Sequence, residues 1–207
     1  GYSIADEQFA LTARPAWTAH TSKGGSLTIS GNSVSGNDAE GNAYQMAFDD
    51  NGKMTAWTYA GKQILHTNAN GTIASGAAPD FNSCRNIDND KESTGTAKIG
   101  CVNSSSTKII KALTKDDATG CATMTVQGNA KNCQYTIRYT FYPDATVDMK
   151  TTFSPSGATR RLGLGLQLAS GFENVEFYAR GPRSNYSARK TGSYLGRFTT
   201  TVDDMVE

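Results

Sequence analysis

Two polar stretches of this 207-residue chain group side chains closely enough to do chemistry. In the first, Asp88-Asn89-Asp90 sets three oxygen-bearing side chains in a row, which suits either Ca²⁺ coordination or hydrogen bonding to a sugar. The same tripeptide fits a solvated turn whose Asx side chains cap backbone amides. In the second, Arg180-Gly181-Pro182 is followed by Asn185, Tyr186 and Arg189. These residues could form a polar, sugar-facing surface with Tyr186 stacked on the ring. The competing assignment is architectural: the arginines pair with carboxylates, and Asn185 satisfies turn amides. Tight Gly-Pro turns favour the architectural assignment. Trp17 and Trp57 are further stacking platforms in principle, although a tryptophan in a strand such as 54–59 more often belongs to a core.

Four cysteines, Cys84, Cys101, Cys121 and Cys133, are too widely spaced for a Cys-x-x-Cys zinc or redox site. The two histidines, His20 and His66, have no cysteine close by and no motif around them. Neither a metal site nor a cofactor is expected. An even cysteine count permits two disulfides. Cys121 and Cys133 bracket a hairpin, which favours Cys121–Cys133 and, by elimination, Cys84–Cys101. Four buried free thiols are the alternative. Bridges would imply an oxidising compartment, periplasmic or extracellular. The glycosylation-type sequons at Asn103 and Asn185 carry little weight alone.

The elements that must position these residues read as strands. Leu27 and Ile29 alternate with Thr28 and Ser30 before a Gly31-Asn32 turn. Asn51-Gly52 joins 44–48 to 54–59, a two-arm hairpin pattern. Segments 122–127 and 134–141 flank a loop at 128–132. In the second arm Tyr135, Ile137, Tyr139 and Phe141 share one face, as in a half-buried antiparallel strand. Val147, Met149, Thr151 and Phe153 continue the alternation, and so do Leu162, Leu164, Leu166 and Leu168. Only 106–115 also reads as a short helix. No stretch sustains a 3.6-residue period, so the class is all-β, an antiparallel β-sandwich. With 20 basic and 19 acidic residues the charge is balanced, which argues against a nucleic-acid groove or a basic membrane face. No apolar run approaches the about 20 residues of a membrane-spanning helix. Gly1-Tyr2-Ser3-Ile4 has neither the basic nor the apolar region of a signal peptide.

Three stretches together resemble the family 2 glycoside hydrolases of β-galactosidase type, in their last large domain, the small-chain domain. The longest runs from Gly171 through Phe177-Tyr178-Ala179-Arg180-Gly181-Pro182, Asn185-Tyr186, Arg189-Lys190 and Gly196 to Thr201-Val202-Asp203-Asp204-Met205. It is similar to the family's Gly-Arg-Gly-Pro and Glu-Asn-Tyr signature, with Ser184 where the family has Glu and Ala188 where it has Asp. Upstream, Phe81, Arg85 and Asp88-Asn89-Asp90 resemble its Arg-Ala-Pro and Asp-Asn-Asp motif. At the start, residues 4–9 resemble the strand that closes a preceding immunoglobulin-like domain. The resemblance implies residues 1–15 as the tail of that domain or a linker. It implies residues 16–207 as a small-chain sandwich of the galactose-mutarotase-like supersandwich type, C-terminally incomplete. It also implies carbohydrate-contacting roles for Arg85, Asp88, Asn89, Asp90, Arg180, Asn185, Tyr186 and Arg189.

Retaining glycoside hydrolysis needs two carboxyl groups about 5–5.5 Å apart. In the resembled family both are glutamates on a (β/α)₈ barrel, and nothing here alternates strands with helices as that barrel must. Glu7, Glu40, Glu92, Glu173, Glu176 and Glu207 lie in no catalytic motif, so no catalytic residue is assigned. The resemblance implies an accessory domain whose partners are the catalytic barrel and other domains of a parent enzyme. The parent's substrate would be a β-galactoside or related oligosaccharide. A free carbohydrate-binding module is the alternative, and would need an exposed line of aromatics. A mutarotase-type enzyme would need a histidine and a carboxylate converging on a sugar.

Overall fold

The protein's structure, a computed structural model, describes residues 18–83, 105–131, 133–157, 162–181 and 193–205. Residues 21–169 form one compact unit; residues 170–207, with 1–20, form another.

In the larger unit, β1 (Ser26–Ser30), β2 (Ser33–Asn37), β3 (Ala43–Phe48), β4 (Met54–Tyr59) and β5 (Lys62–Gln63) follow one another as a five-stranded antiparallel meander. A second antiparallel sheet contains β7 (Ser106–Lys115), β8 (Ala122–Ala130), β9 (Cys133–Phe141) and β10 (Val147–Pro155), in the order β10-β9-β8-β7. Between them in sequence, β6 (Asp80–Asn82) pairs with β11 (Gly163–Gly165). The chain is an all-β, antiparallel sandwich. The helix-or-strand ambiguity of 106–115 resolves as β7, an edge strand irregular in register between Ile109 and Lys111 and again before Thr114. Such irregularity discourages further strand pairing along an edge.

Side-chain alternation explains the layering. Along β9, Cys133, Tyr135, Ile137, Tyr139 and Phe141 are buried, while Gln134 and Arg138 are exposed. On β8, Ala122, Met124 and Val126 are buried, and Met124 and Val126 lie opposite Tyr139 and Ile137. From the meander, Leu27, Val34, Tyr44, Met46 and Phe48 join the same core. Phe48 meets Tyr139 edge-on, with ring centroids 5.1 Å apart. Fully burying one such apolar side chain contributes about 1.5–3 kcal/mol. Polar ties at the sheet ends add direction: Lys115 Nζ donates to the Leu27 carbonyl at 2.7 Å, and the Tyr44 hydroxyl donates to the Ser26 carbonyl at 2.8 Å. Burial, then the charge of Asp144, pushes the Tyr44 phenol up to about 12.

Two expectations need correction. The loop read at 128–132 shrinks to residues 131–132, because β8 runs on to Ala130 and pairs with Cys133. Cys133 therefore sits beside the turn, whereas Cys121 precedes Ala122, the partner of Phe141 at the far end of the hairpin. The first residue of one arm of a hairpin faces the last residue of the other. At roughly 3.3 Å per residue, nine strand residues separate the two sulfurs far beyond the Cα spacing of about 4.4–6.8 Å that a disulfide requires. Both are free thiols, Cys133 buried and Cys121 half-buried. The second correction concerns 162–168, which is no continuous strand. Leu162 and Leu164 pack on the core and Leu168 makes a single bridge to Leu65, while Leu166 and Leu168 stay 39% and 46% exposed. Trp57 packs against the core, as its strand position implies. Trp17, Cys84, Cys101 and the boundary at residue 15 lie outside the described residues.

The smaller unit contains the hairpin of β12 (Asn174–Gly181) and β13 (Tyr194–Thr201), followed by a 3-10 turn at Asp203–Met205. Phe177, Phe198 and Tyr194 cluster on one face of it, with ring centroids 5.4 and 5.6 Å apart.

Candidate functional site

A buried polar cluster lies inside the sandwich, around Asp80. Its residue is only 8% exposed, yet it carries a carboxylate beside Phe81, one of the most deeply buried side chains. A buried carboxylate needs donors, and four are supplied from different parts of the chain. Oδ1 accepts from the Phe81 amide at 2.7 Å, the Tyr135 hydroxyl at 2.6 Å and the Ser105 hydroxyl at 2.8 Å. Oδ2 pairs with Lys53 Nζ at 3.5 Å. The Ser105 and Tyr135 hydroxyls also touch each other within hydrogen-bond range. Burial first, then the bond to Asp80, lifts the Tyr135 phenol well above its ordinary range, so it stays a protonated donor.

Each donor is placed by packing. Tyr135 stacks on Phe81 with centroids 5.5 Å apart, and Phe153 closes edge-on against Phe81 at 6.0 Å. Lys53 is delivered by the β3–β4 turn, where Asp49 Oδ1 accepts from the amides of Asn51 and Lys53. Gly52, at the centre of that turn, has a φ of 80°. A Cβ there would lie 2.7 Å from Val126 Cγ2 and 3.1 Å from Ile109 Cγ1, so the turn is seated directly on the second sheet.

Segment 84–104, which carries Arg85, Asp88, Asn89 and Asp90, runs between Ser83 and Ser105 and lies outside the described residues. Its two flanks are described, and the Asp80–Ser105 bond joins them. Asn185, Tyr186 and Arg189 lie in 182–192, also outside the described residues. Of the sugar-contact candidates only Arg180 is described. It lies exposed on β12, and its Nη1 donates to the Ser193 carbonyl at 3.0 Å. That contact ties the end of β12 to the residue before β13 through a backbone carbonyl, whereas the architectural assignment had a carboxylate as its partner.

The other chemistry-bearing residues are engaged locally. Glu173 accepts from the Gly171 amide, which lowers its pKa, and Glu176 pairs with Arg197. The backbone of His66 bridges Gln167 and Ala74, while the residue itself is exposed. Asp38 organises the β2–β3 turn: it accepts from the Asn42 side chain at 3.0 Å and the Tyr59 hydroxyl at 2.7 Å, which hold its carboxyl down at about 2. Among the described residues no three His, Cys, Asp or Glu side chains stand together as metal ligands. A shallow groove of about 570 Å³ crosses the meander, lined by Ser35, Asn37, Gln45 and Thr58 among others.

Sequence reasoning missed the Asp80 cluster. One local signal existed, an aspartate in the otherwise apolar run Ala77-Ala78-Pro79-Asp80-Phe81. Its partner Tyr135 is 55 residues away, and no local pattern names it.

Residues 40–207 match the family model described as the β-galactosidase small chain. The chain belongs to the β-galactosidase small-chain family. A β-galactosidase of Priestia megaterium is 25% identical over 216 residues, which takes in all of this chain and 20% of that protein. One from Staphylococcus xylosus is 39% identical over 85 residues, 41% of this chain and 7% of the relative. One from Halalkalibacterium halodurans is 32% identical over 74 residues, 33% of this chain and 7% of that protein. The small-chain match takes in both the Asp80 cluster and the β12–β13 hairpin. The chain spans about a fifth of the length of the relative that it matches end to end.

Proposed function

We propose that this chain is a non-catalytic β-sandwich domain of a β-galactosidase-like glycoside hydrolase, supporting the active-site mouth and the assembly of the parent enzyme. The observation that carries this reading is the small-chain match over residues 40–207. The local roles of Glu173 and Glu176 in turn and hairpin contacts support it, since neither resembles one of a facing catalytic pair. The partners would be a catalytic barrel and the other domains of the parent, and the substrate a β-galactoside or related oligosaccharide. Contacts to that sugar would come from Arg85, Asp88, Asn89, Asp90, Asn185, Tyr186 and Arg189, with Arg180 tying the end of β12 to the residue before β13. A periplasmic or extracellular location is part of the proposal. With Cys121 and Cys133 reduced, its cysteine argument rests on Cys84 and Cys101 alone.

One observation favours a second reading, a free carbohydrate-binding module: Tyr178 on β12 is 72% exposed and pairs across the hairpin with Arg197. Calorimetric titration of the chain with galactose and lactose separates the two. Binding no tighter than millimolar, with no hydrolysis of a chromogenic galactoside, is expected of the accessory domain; micromolar binding overturns it in favour of the module. The upstream reading frame tests the parentage, because a barrel with two catalytic glutamates is required there.

A further inference from the structure

We propose that Asn70 is a site of spontaneous covalent modification. The Asn70-Gly71 turn converts its own carboxamide to a carboxylate through a cyclic imide, whereas the fold protects Asn51-Gly52, the chain's other Asn-Gly pair. The proposal rests on turn geometry and is independent of the carbohydrate reading.

In this reaction the Gly71 nitrogen gives up its proton and its electron pair attacks Cγ of Asn70. The bond from Cγ to the side-chain nitrogen breaks, and ammonia leaves. Water then opens the imide at either carbonyl. One opening leaves aspartate; the other reroutes the main chain through Cγ and leaves isoaspartate. Water is the only co-reactant. Glycine suits the attack because no Cβ hinders its nitrogen.

The two pairs share one backbone frame. The Asp49 amide donates to the Lys53 carbonyl and the Gly52 amide to the Asp49 carbonyl; likewise the Asn68 amide donates to Thr72 and the Gly71 amide to Asn68. The two glycines have φ of 80° and 81°. Two differences separate the turns. Gly52 is buried against Val126 and Ile109, so freeing its nitrogen unseats the turn from the second sheet, whereas a Cβ at Gly71 would meet nothing within 4 Å and residues 68–72 are exposed. Local opening of this kind sets how often a folded chain reaches a reactive geometry. The second difference is a pair of donors. Asn70 Oδ1 accepts from the Thr72 hydroxyl at 2.7 Å and the Thr72 amide at 3.1 Å, and Asn68 Nδ2 donates to that hydroxyl at 3.1 Å. Negative charge gathers on Oδ1 as the nitrogen attacks Cγ, so these donors stand where the transition state needs them. In the other turn the equivalent amide, that of Lys53, donates to Asp49 and not to Asn51.

The test holds the full 207-residue chain at mildly alkaline pH, folded or in urea, and follows amide-to-acid conversion by trypsin digestion and mass spectrometry. Peptide 63–85 carries Asn70 and peptide 24–53 carries Asn51. In the folded chain Asn70 converts about tenfold or more faster than Asn51, and in urea the two convert at comparable rates. Isoelectric focusing shows the same product, since the new carboxylate cancels the formal net charge of +1. Thr72→Val, an exposed change, slows Asn70 about two- to tenfold, the worth of one hydrogen bond, and leaves Asn51 unaffected. Asn51 keeping pace with Asn70 in the folded chain overturns the proposal. So does a disparity that persists in urea, because the fold is then not its cause, and so does an unchanged Asn70 rate in Thr72→Val.

Discussion

The ring of Tyr135 lies across Gly128, its cross-strand partner on β8, and leaves no room for a side chain beneath it. A Cβ at Gly128 would overlap Cζ and Cε1 of that ring. The close approach lets the tyrosine reach Asp80 with its hydroxyl while its ring stacks on Phe81. Gly128→Ala must therefore displace the ring, weakening a buried hydrogen bond and an aromatic stack together. Overpacking of a tight core costs about 1–3 kcal/mol, and a disturbed buried hydrogen bond adds about 1 kcal/mol. Urea unfolding should show a loss in that combined range. An unchanged midpoint would mean that the ring has another place to go.

The two described cysteines predict a thiol count. Cys133 is buried beside the β8–β9 turn, and Cys121 is half-buried at the hairpin's other end. Ellman titration of the unreduced, denatured chain should find both. A total of two thiols would mean that Cys84 and Cys101 are bridged, and a total of four would mean no disulfide. A total of zero would contradict the free state of Cys121 and Cys133. In the folded chain Cys121 should react well before Cys133, because reaction follows access.

How far the sequence could be read follows from the same hairpin. The inward set Tyr135, Ile137, Tyr139 and Phe141 was legible because each strand of this sheet buries only one face, so polarity alternates along it. The wrong disulfide came from taking nearness to the hairpin for nearness in space; the pairing direction decides which ends meet. Leu166 and Leu168 misled because alternation says which side chains share a face and not whether anything covers that face. The Asp80 cluster was illegible for a different reason. Lys53, Asp80, Ser105 and Tyr135 come from four separate elements, and only the completed sandwich brings them together.

Asp38 gives the acid side of the stability profile a testable shape. Hydrogen bonds from Asn42 and Tyr59 lower its pKa from 3.8 to about 2 in the folded chain. A depressed carboxyl contributes stability that is present above its unfolded pKa and is lost as pH falls through the folded one. The contribution is therefore whole above about pH 4 and gone near pH 2. Comparing the unaltered chain with Asp38→Asn cancels the other carboxylates, and the stability difference should shrink steadily over that window. Tyr59 supplies a second readout. Its hydrogen bond to Asp38 raises its phenol, so Asp38→Asn should bring Tyr59 titration, followed by ultraviolet absorbance, back towards pH 10.

Gly52 tests how the β3–β4 turn is seated on the second sheet. Its φ of 80° disfavours any L side chain, at about 1–2 kcal/mol for a left-handed residue. Separately, its Cβ would press on Val126 Cγ2 at 2.7 Å, an overpacking cost of about 1–3 kcal/mol. Gly52→Ala should thus destabilise by roughly 2–5 kcal/mol, the sum of these two effects. They separate in a double-mutant cycle with Val126→Ala, which removes the obstructing methyls and leaves the backbone strain in place. The pair should lose less than the sum of the single variants, by about 1 kcal/mol or more. Strict additivity would show that the turn lifts off the sheet when Gly52 changes. The Lys53–Asp80 ion pair would then separate as well, since the turn holds both residues 52 and 53 against the same sandwich.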